Sequence, residues 1–313
     1  MIRAERPQTF LICWLLACLG LFAPSDAADP IALEPIAHGQ LRERAERALG
    51  LIERSAAEYL KQRECFSCHH QAMAILTAME ARQRGLAVDH ENLVHQVERT
   101  IEHLRRGAEQ YKQGQGQGGK VDTAGYALLG LAAAGWPADS TTEAVTEYLL
   151  QANVAQRRWV CSSNRPPTEA NDITTSALAL KGLKAFATVE QSQRRVKRVD
   201  DCQQWLAAQV PDDNEQRVFA LLAAQALGRP ADVASMRDLI SATQRVDGGW
   251  SQTQAMDSDA YATGTALYAL AHAGVDTTES AYQRGLQFLM TTSTEAITGE
   301  SRVKGVRFKG GLE

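Results

Sequence analysis

Aromatic side chains are scarce in this 313-residue chain: Phe, Trp and Tyr supply only 6% of it, too few to wall a large interior with π faces. Strand signals are nearly missing too, since almost nowhere do apolar and polar residues alternate between turn clusters. Charge of one sign is not in excess. The net charge is −4, which speaks against nucleic acid or an anionic membrane surface as partner. The one basic run, Arg194 to Arg198, is followed by Asp200 and Asp201 and reads as a solvated helix face. No apolar run after residue 23 is long enough to span a bilayer, so no transmembrane segment is expected in the mature chain.

The amino terminus has the form of a secretory leader. Arg3 and Arg6 precede the apolar run Phe10 to Ala23, and Ser25-Asp26-Ala27 offers small residues for cleavage. The mature chain is expected to begin near Ala28 and to be exported, periplasmic or secreted. Leu15-Leu16-Ala17-Cys18 resembles a lipoprotein site, the lesser alternative because Leu19 to Ala23 continues the apolar run past the cysteine. Cleavage removes two charges of each sign (Arg3, Arg6, Glu5, Asp26) and leaves the balance unchanged.

Cysteine is sparse as well, and the leader takes Cys13 and Cys18 with it. Of the remainder, Cys65-Phe66-Ser67-Cys68-His69-His70 carries the most chemistry. Cys-x-x-Cys-His is the arrangement that attaches c-type haem covalently: two thiolates reach the two vinyl groups and the following imidazole binds the iron. Cys65, Cys68 and His69 are therefore the expected cofactor-binding residues, with His69 on the haem iron. Zinc or another divalent metal, or a redox dithiol, is the alternative for the same letters. His70 projects about 100° away on a helix and is a candidate acid/base or hydrogen-bond donor lining a cavity. Cys161 and Cys202 are open to two readings, a disulfide or two buried thiols.

A repeat organises the remainder. Gln71–Gly85, Ala124–Gly135, Arg217–Gly228 and Ala260–Gly274 each read as an apolar helix ending at glycine and followed by a short turn; Thr174–Ala187 keeps the helix without the glycine. The alternating segments, such as Leu41–Lys61 and Asn92–Arg105, are amphipathic. Inner helices sheathed by outer ones follow. Gln113–Gly119 lacks a preceding strand and a terminal Gly-Lys-Ser/Thr, so it reads as an inter-repeat loop and not a phosphate loop.

Gln244-Arg-Val-Asp-Gly248-Gly249-Trp250 resembles the glutamine-tryptophan repeat of the squalene-hopene cyclase and prenyltransferase-like families. The resemblance covers roughly residues 41–292 and implies an all-α fold, an α/α toroid of five to six helical hairpins. It implies Trp250 packed between repeats and Gln244 tying a helix end to its neighbour. Gln151 to Trp159 is a stretched version of the motif. Asp257-Ser258-Asp259-Ala260 is similar to the cyclases' Asp-x-Asp-Asp, with Ala260 in place of the last aspartate. It makes Asp259, with Asp257, a candidate catalytic acid.

The expected organisation is a leader at 1–27, a linker at 28–40, the toroid at 41–292 with the cysteine motif at 65–69, and an irregular tail at 293–313. With five inner helices against six outer ones, the ring is expected to be incompletely closed. If inner helices run parallel, Cys65 to His70, Asp122, Asp172, Asp213 and Asp257/Asp259 share one rim, where Asp122, Asp172 and Asp213 are expected to cap helices. Three functions compete: an exported haem protein in electron transfer or redox work, with a redox partner; a cyclase-like enzyme or hydrophobic small-molecule binder with a metal at the rim; and a non-catalytic scaffold. Nothing in the sequence sets an oligomeric state.

Overall fold

A computed structural model describes residues 36–63 and 65–297, the side chains of Cys68, His69 and residues 293–297 excepted. The expected leader and the end of the expected tail lie outside the described residues. The protein is all-helical: among the described residues the one extended pairing is a bridge between Arg165 and Glu169.

Twelve α-helices occur among the described residues. Five form the inner layer: α2 (Met73–Gln83), α5 (Lys120–Ala133), α7 (Asp172–Phe186), α9 (Asn214–Ala226) and α11 (Ala260–His272). Outside them lie α1 (His38–Gln62), α3 (His90–Arg106) with the short α4 (Ala108–Lys112), α6 (Ser140–Gln151), α8 (Ser192–Leu206), α10 (Pro230–Ala242) and α12 (Ser280–Ile297). The layers follow from composition. α5 and α7 are buried on nearly every side, whereas α8 buries only Arg198 and Cys202. None of the described helices is long and apolar enough to cross a membrane.

Glycine ends the repeats as expected. Gly85, Gly135, Gly228 and Gly274 all have φ between 67° and 79°, the left-handed region that a side chain resists. The residue after each donates its N–H to the carbonyl five positions earlier, at 2.9–3.0 Å: Leu86 to Ala81, Trp136 to Leu131, Arg229 to Ala224 and Val275 to Leu270. This is the bond of a Schellman ending.

Neighbouring inner helices run parallel and close. A Cβ on Gly125 of α5 would lie 2.7 Å from Leu178 Cβ of α7, and one on Gly182 of α7 would lie 2.8 Å from Leu128 Cδ1 of α5. Each helix thus presents a glycine notch to the other's leucine. α9 and α11 are likewise in parallel register, with Glu215 beside Tyr261 near one end and Gln225 donating to the His272 carbonyl at the other.

Trp250 is 1% exposed; its indole N–H donates to Ile240 O at 2.7 Å and its backbone N–H to Thr263 Oγ1 at 2.9 Å. Its ring fills the space against Gly285 of α12, where a Cβ would come within 2.8 Å. Gln244 donates to Gly248 O and to Ala281 O, tying the end of α10 to the start of α12. Trp159 repeats the tryptophan half of this arrangement one repeat earlier. It is fully buried and donates to Leu149 O at 2.8 Å, with its backbone N–H on Ser176 Oγ, while Arg198 lies 4.1 Å over its ring. The stretched motif therefore supplies a second wedge, although Gln151 takes no part and bonds Glu147 instead.

The two ends of the repeat series meet. α12 packs against α1, and His272 Nε2 of α11 lies 3.9 Å from Glu80 Oε1 of α2. The expected open seam is therefore bridged in both layers with only five inner helices in place. Of the two readings open for Cys161 and Cys202, free thiols hold: no disulfide joins them, although Cys161 is only partly buried. Cys202 is buried, and burial pushes its pKa up to about 12, so it behaves as a small apolar side chain.

Candidate functional site

The Cys65 motif sits where an outer helix hands over to an inner one. α1 ends at Gln62, Arg63 and Cys65 to Ser67 are non-helical, and a π-type turn, Cys68–Ala72, opens directly into α2. Cys65 is exposed and free, its Sγ 3.2 Å from the Tyr59 hydroxyl. Burial, helped by the Cys65 thiol beside it, pushes the Tyr59 pKa up to about 12, so the phenol keeps its proton.

Four rings gather around this segment. His70 is exposed and stacks on Tyr59, with centroids 4.8 Å apart and planes 10° from parallel. Its Nδ1 is 3.3 Å from Ser67 Oγ, which also accepts the His70 backbone N–H. Expected to line a cavity, His70 instead faces α1 and solvent. On the other side Phe66 stacks on His103 of α3, centroids 5.7 Å apart. His103 Nε2 is buried with no hydrogen-bond partner, and burial, followed by Arg106 and Arg99, lowers its pKa, which favours the neutral, ligating form. Nothing local singles out His103, because its partner Phe66 is 37 residues away. The Cys68 and His69 side chains lie outside the described residues.

The aspartates expected on the rim separate into two groups. Asp122 is buried in the first turn of α5, which follows Gly119, so it does not cap that helix. Its carboxylate instead accepts from Thr175 Oγ1 of α7, from the Ser162 N–H at 3.0 Å and from the Cys161 thiol at 3.6 Å. Asp172 is also not the cap; Asn171 is, and Asp172 pairs with Arg158 Nε at 2.6 Å and accepts from Cys161 N at 2.8 Å. This cluster pins the Trp159–Ser163 segment to two inner helices. Asp122→Ala is expected to lower stability by about 1–3 kcal/mol, because it strands buried donors; chemical denaturation would measure it.

In the second group Asp213 and Asp259 are helix caps. Asp213 accepts from Gln216 N at 2.7 Å. Asp259 accepts from Ala262 N at 2.9 Å and from Gln252 Nε2 at 3.1 Å, which occupies both carboxylate oxygens. Asp257 is exposed and makes no hydrogen bond or ion pair. The acid that sequence reasoning missed is Glu215, only 4% exposed, accepting from the Tyr261 hydroxyl at 3.0 and 3.2 Å. Burial, with Asp213 nearby, raises its pKa to about 8 against the bond from Tyr261. It lies in the polar string Asn214-Glu215-Gln216-Arg217, which reads as a solvated helix start; only the packing of α9 on α11 reveals it.

The Cys65 segment makes polar and ring contacts with α1 and α3. Among the described residues no three His, Cys, Asp or Glu side chains converge as metal ligands. No protein-family model and no curated protein matches the chain.

Proposed function

We propose that this is an exported c-type haem protein on an α/α toroid, with an electron-transfer or other redox role. The observation that carries the reading is the free, exposed Cys65 thiol at the non-helical entry to the turn that begins at Cys68. Haem fits the residues present. An accessible, unpaired thiol is what thioether formation requires, the Tyr59, His70, Phe66 and His103 rings offer flat faces to a planar macrocycle, and the buried unpaired nitrogen of His103 lies on α3 beside the segment.

Cys65 and Cys68 would hold the porphyrin through thioethers and His69 would ligate its iron, which when bound supplies one-electron chemistry. The protein's own residues set the surroundings. Tyr59, protonated well above neutral pH, donates its hydroxyl to the Cys65 carbonyl at 3.2 Å and lies as close to the Cys65 sulfur. Ser67 fixes the first turn by accepting the His70 N–H on its Oγ at 3.3 Å. Gln71, buried, accepts the Ser67 N–H at 2.9 Å and holds the loop against the helix start.

Protein produced in a host that matures c-type cytochromes should show a Soret band that survives acid-acetone extraction. Cys65→Ala with Cys68→Ala should abolish it completely. Colourless protein carrying one zinc per chain would overturn the haem reading in favour of the metal alternative.

A further inference from the structure

The carboxyl ends of α2, α5, α7 and α9 line an open cavity of about 490 Å³, within the size range of small-molecule sites. It does not touch the Cys65 segment. Leu76 and Met79 of α2 and Leu129 of α5 give it apolar walls, and Lys181 and Lys184 of α7 and Glu80 of α2 reach its lining. These charges are not equivalent. Glu80 already holds Arg84 and lies 3.9 Å from His272 Nε2, and Lys184 Nζ donates to Ala226 O at 3.2 Å. Lys181 is half-buried and makes no hydrogen bond or ion pair.

Glu80 acts on it only through space, and a partly desolvated ammonium without a hydrogen-bonding partner is unfavourable, which a ligand oxyanion relieves. The helix carboxyl ends by themselves repel an anion. Lys184, spent on one such carbonyl, and Arg84, spent on Glu80, offset that repulsion and leave Lys181 available. We propose that this cavity binds a single-chain amphiphile with a carboxylate head group, its alkyl chain against Leu76, Met79 and Leu129 and its carboxylate on Lys181. The site is independent of the haem reading.

The test is displacement of N-phenylnaphthylamine from the purified protein by laurate, dodecanol and dodecylammonium, each below its micelle concentration. Laurate should bind best and dodecylammonium worst. Lys181→Gln should weaken laurate roughly tenfold, the size of one charge-assisted hydrogen bond, while leaving dodecanol unchanged; Lys181→Arg should retain the laurate preference. Equal affinity for the three head groups, no displacement by any of them, or laurate binding untouched by Lys181→Gln would each overturn the proposal. The head-group comparison on the unaltered protein decides the matter even if a variant fails to fold.

Discussion

Trp250→Ala is expected to lower stability by about 3–5 kcal/mol, the range for deleting a fully buried large aromatic, and Trp159→Ala by a comparable amount. Each indole is a wedge between one helix and the next repeat, so its removal opens a void that cannot collapse without moving two helices. The indole N–H bond is lost as well; Leu149 O then lacks its donor, whereas Ile240 O keeps those from Thr243. Against a typical domain stability of about 5–15 kcal/mol, either change alone removes a large share of what holds the ring. Urea titrations followed by circular dichroism would measure it. A loss below about 1 kcal/mol would mean that the tryptophans fill surface grooves and are not packing wedges.

The second large effect is a pH dependence centred on Glu215. In the unfolded chain its carboxyl ionises near 4.5, whereas in the folded protein burial defers ionisation to about 8. The folded state therefore binds the extra proton throughout that window, and stability falls as pH rises through it. Each unit of separation corresponds to about 1.4 kcal/mol, an upper bound once local opening admits water, so a loss of a few kcal/mol across the window is expected. Glu215→Gln keeps an acceptor for Tyr261 and cannot ionise; it should remove most of that slope and leave the protein more stable than the parent at the alkaline end. Melting temperatures of both proteins across the window would show it, and parallel profiles would mean that Glu215 ionises freely in the fold.

How far the sequence could be read depended on whether a feature was local. Gly85, Gly135, Gly228 and Gly274 mark helix ends because left-handed backbone is a property of single residues, and all four behave so. The apolar strings of α5 and α11 announce an inner layer because burial on all sides needs no partner's identity to be recognised. Trp250 was legible through its neighbours Gln244 and Gly248; Trp159 was harder to recognise, since its equally long connection 152–158 carries Asn153 and Arg157 where the other has Gln244 and Gly248. Where the partner comes from another repeat, the sequence was silent or misleading. Asp122 looked like a cap and instead serves Thr175, 53 residues on. Glu215 looked solvated and instead faces Tyr261, 46 residues on. The Cys65 motif was visible as chemistry, but its surroundings, Tyr59 and His103, come from α1 and α3 and become apparent only when those helices pack.

The paired glycine notches of α5 and α7 limit how this chain can change in length. One residue inserted between Gly125 and Leu128 would rotate the leucine by about 100° relative to the glycine, so that only one of the two notches could face its leucine at a time. The same holds between Leu178 and Gly182. Additions and deletions are therefore tolerated in the connections between repeats, such as the glutamine- and glycine-rich stretch 113–119, and not within the inner helices themselves. Such a ring can acquire new surface loops at either end while its wall keeps a fixed count of turns.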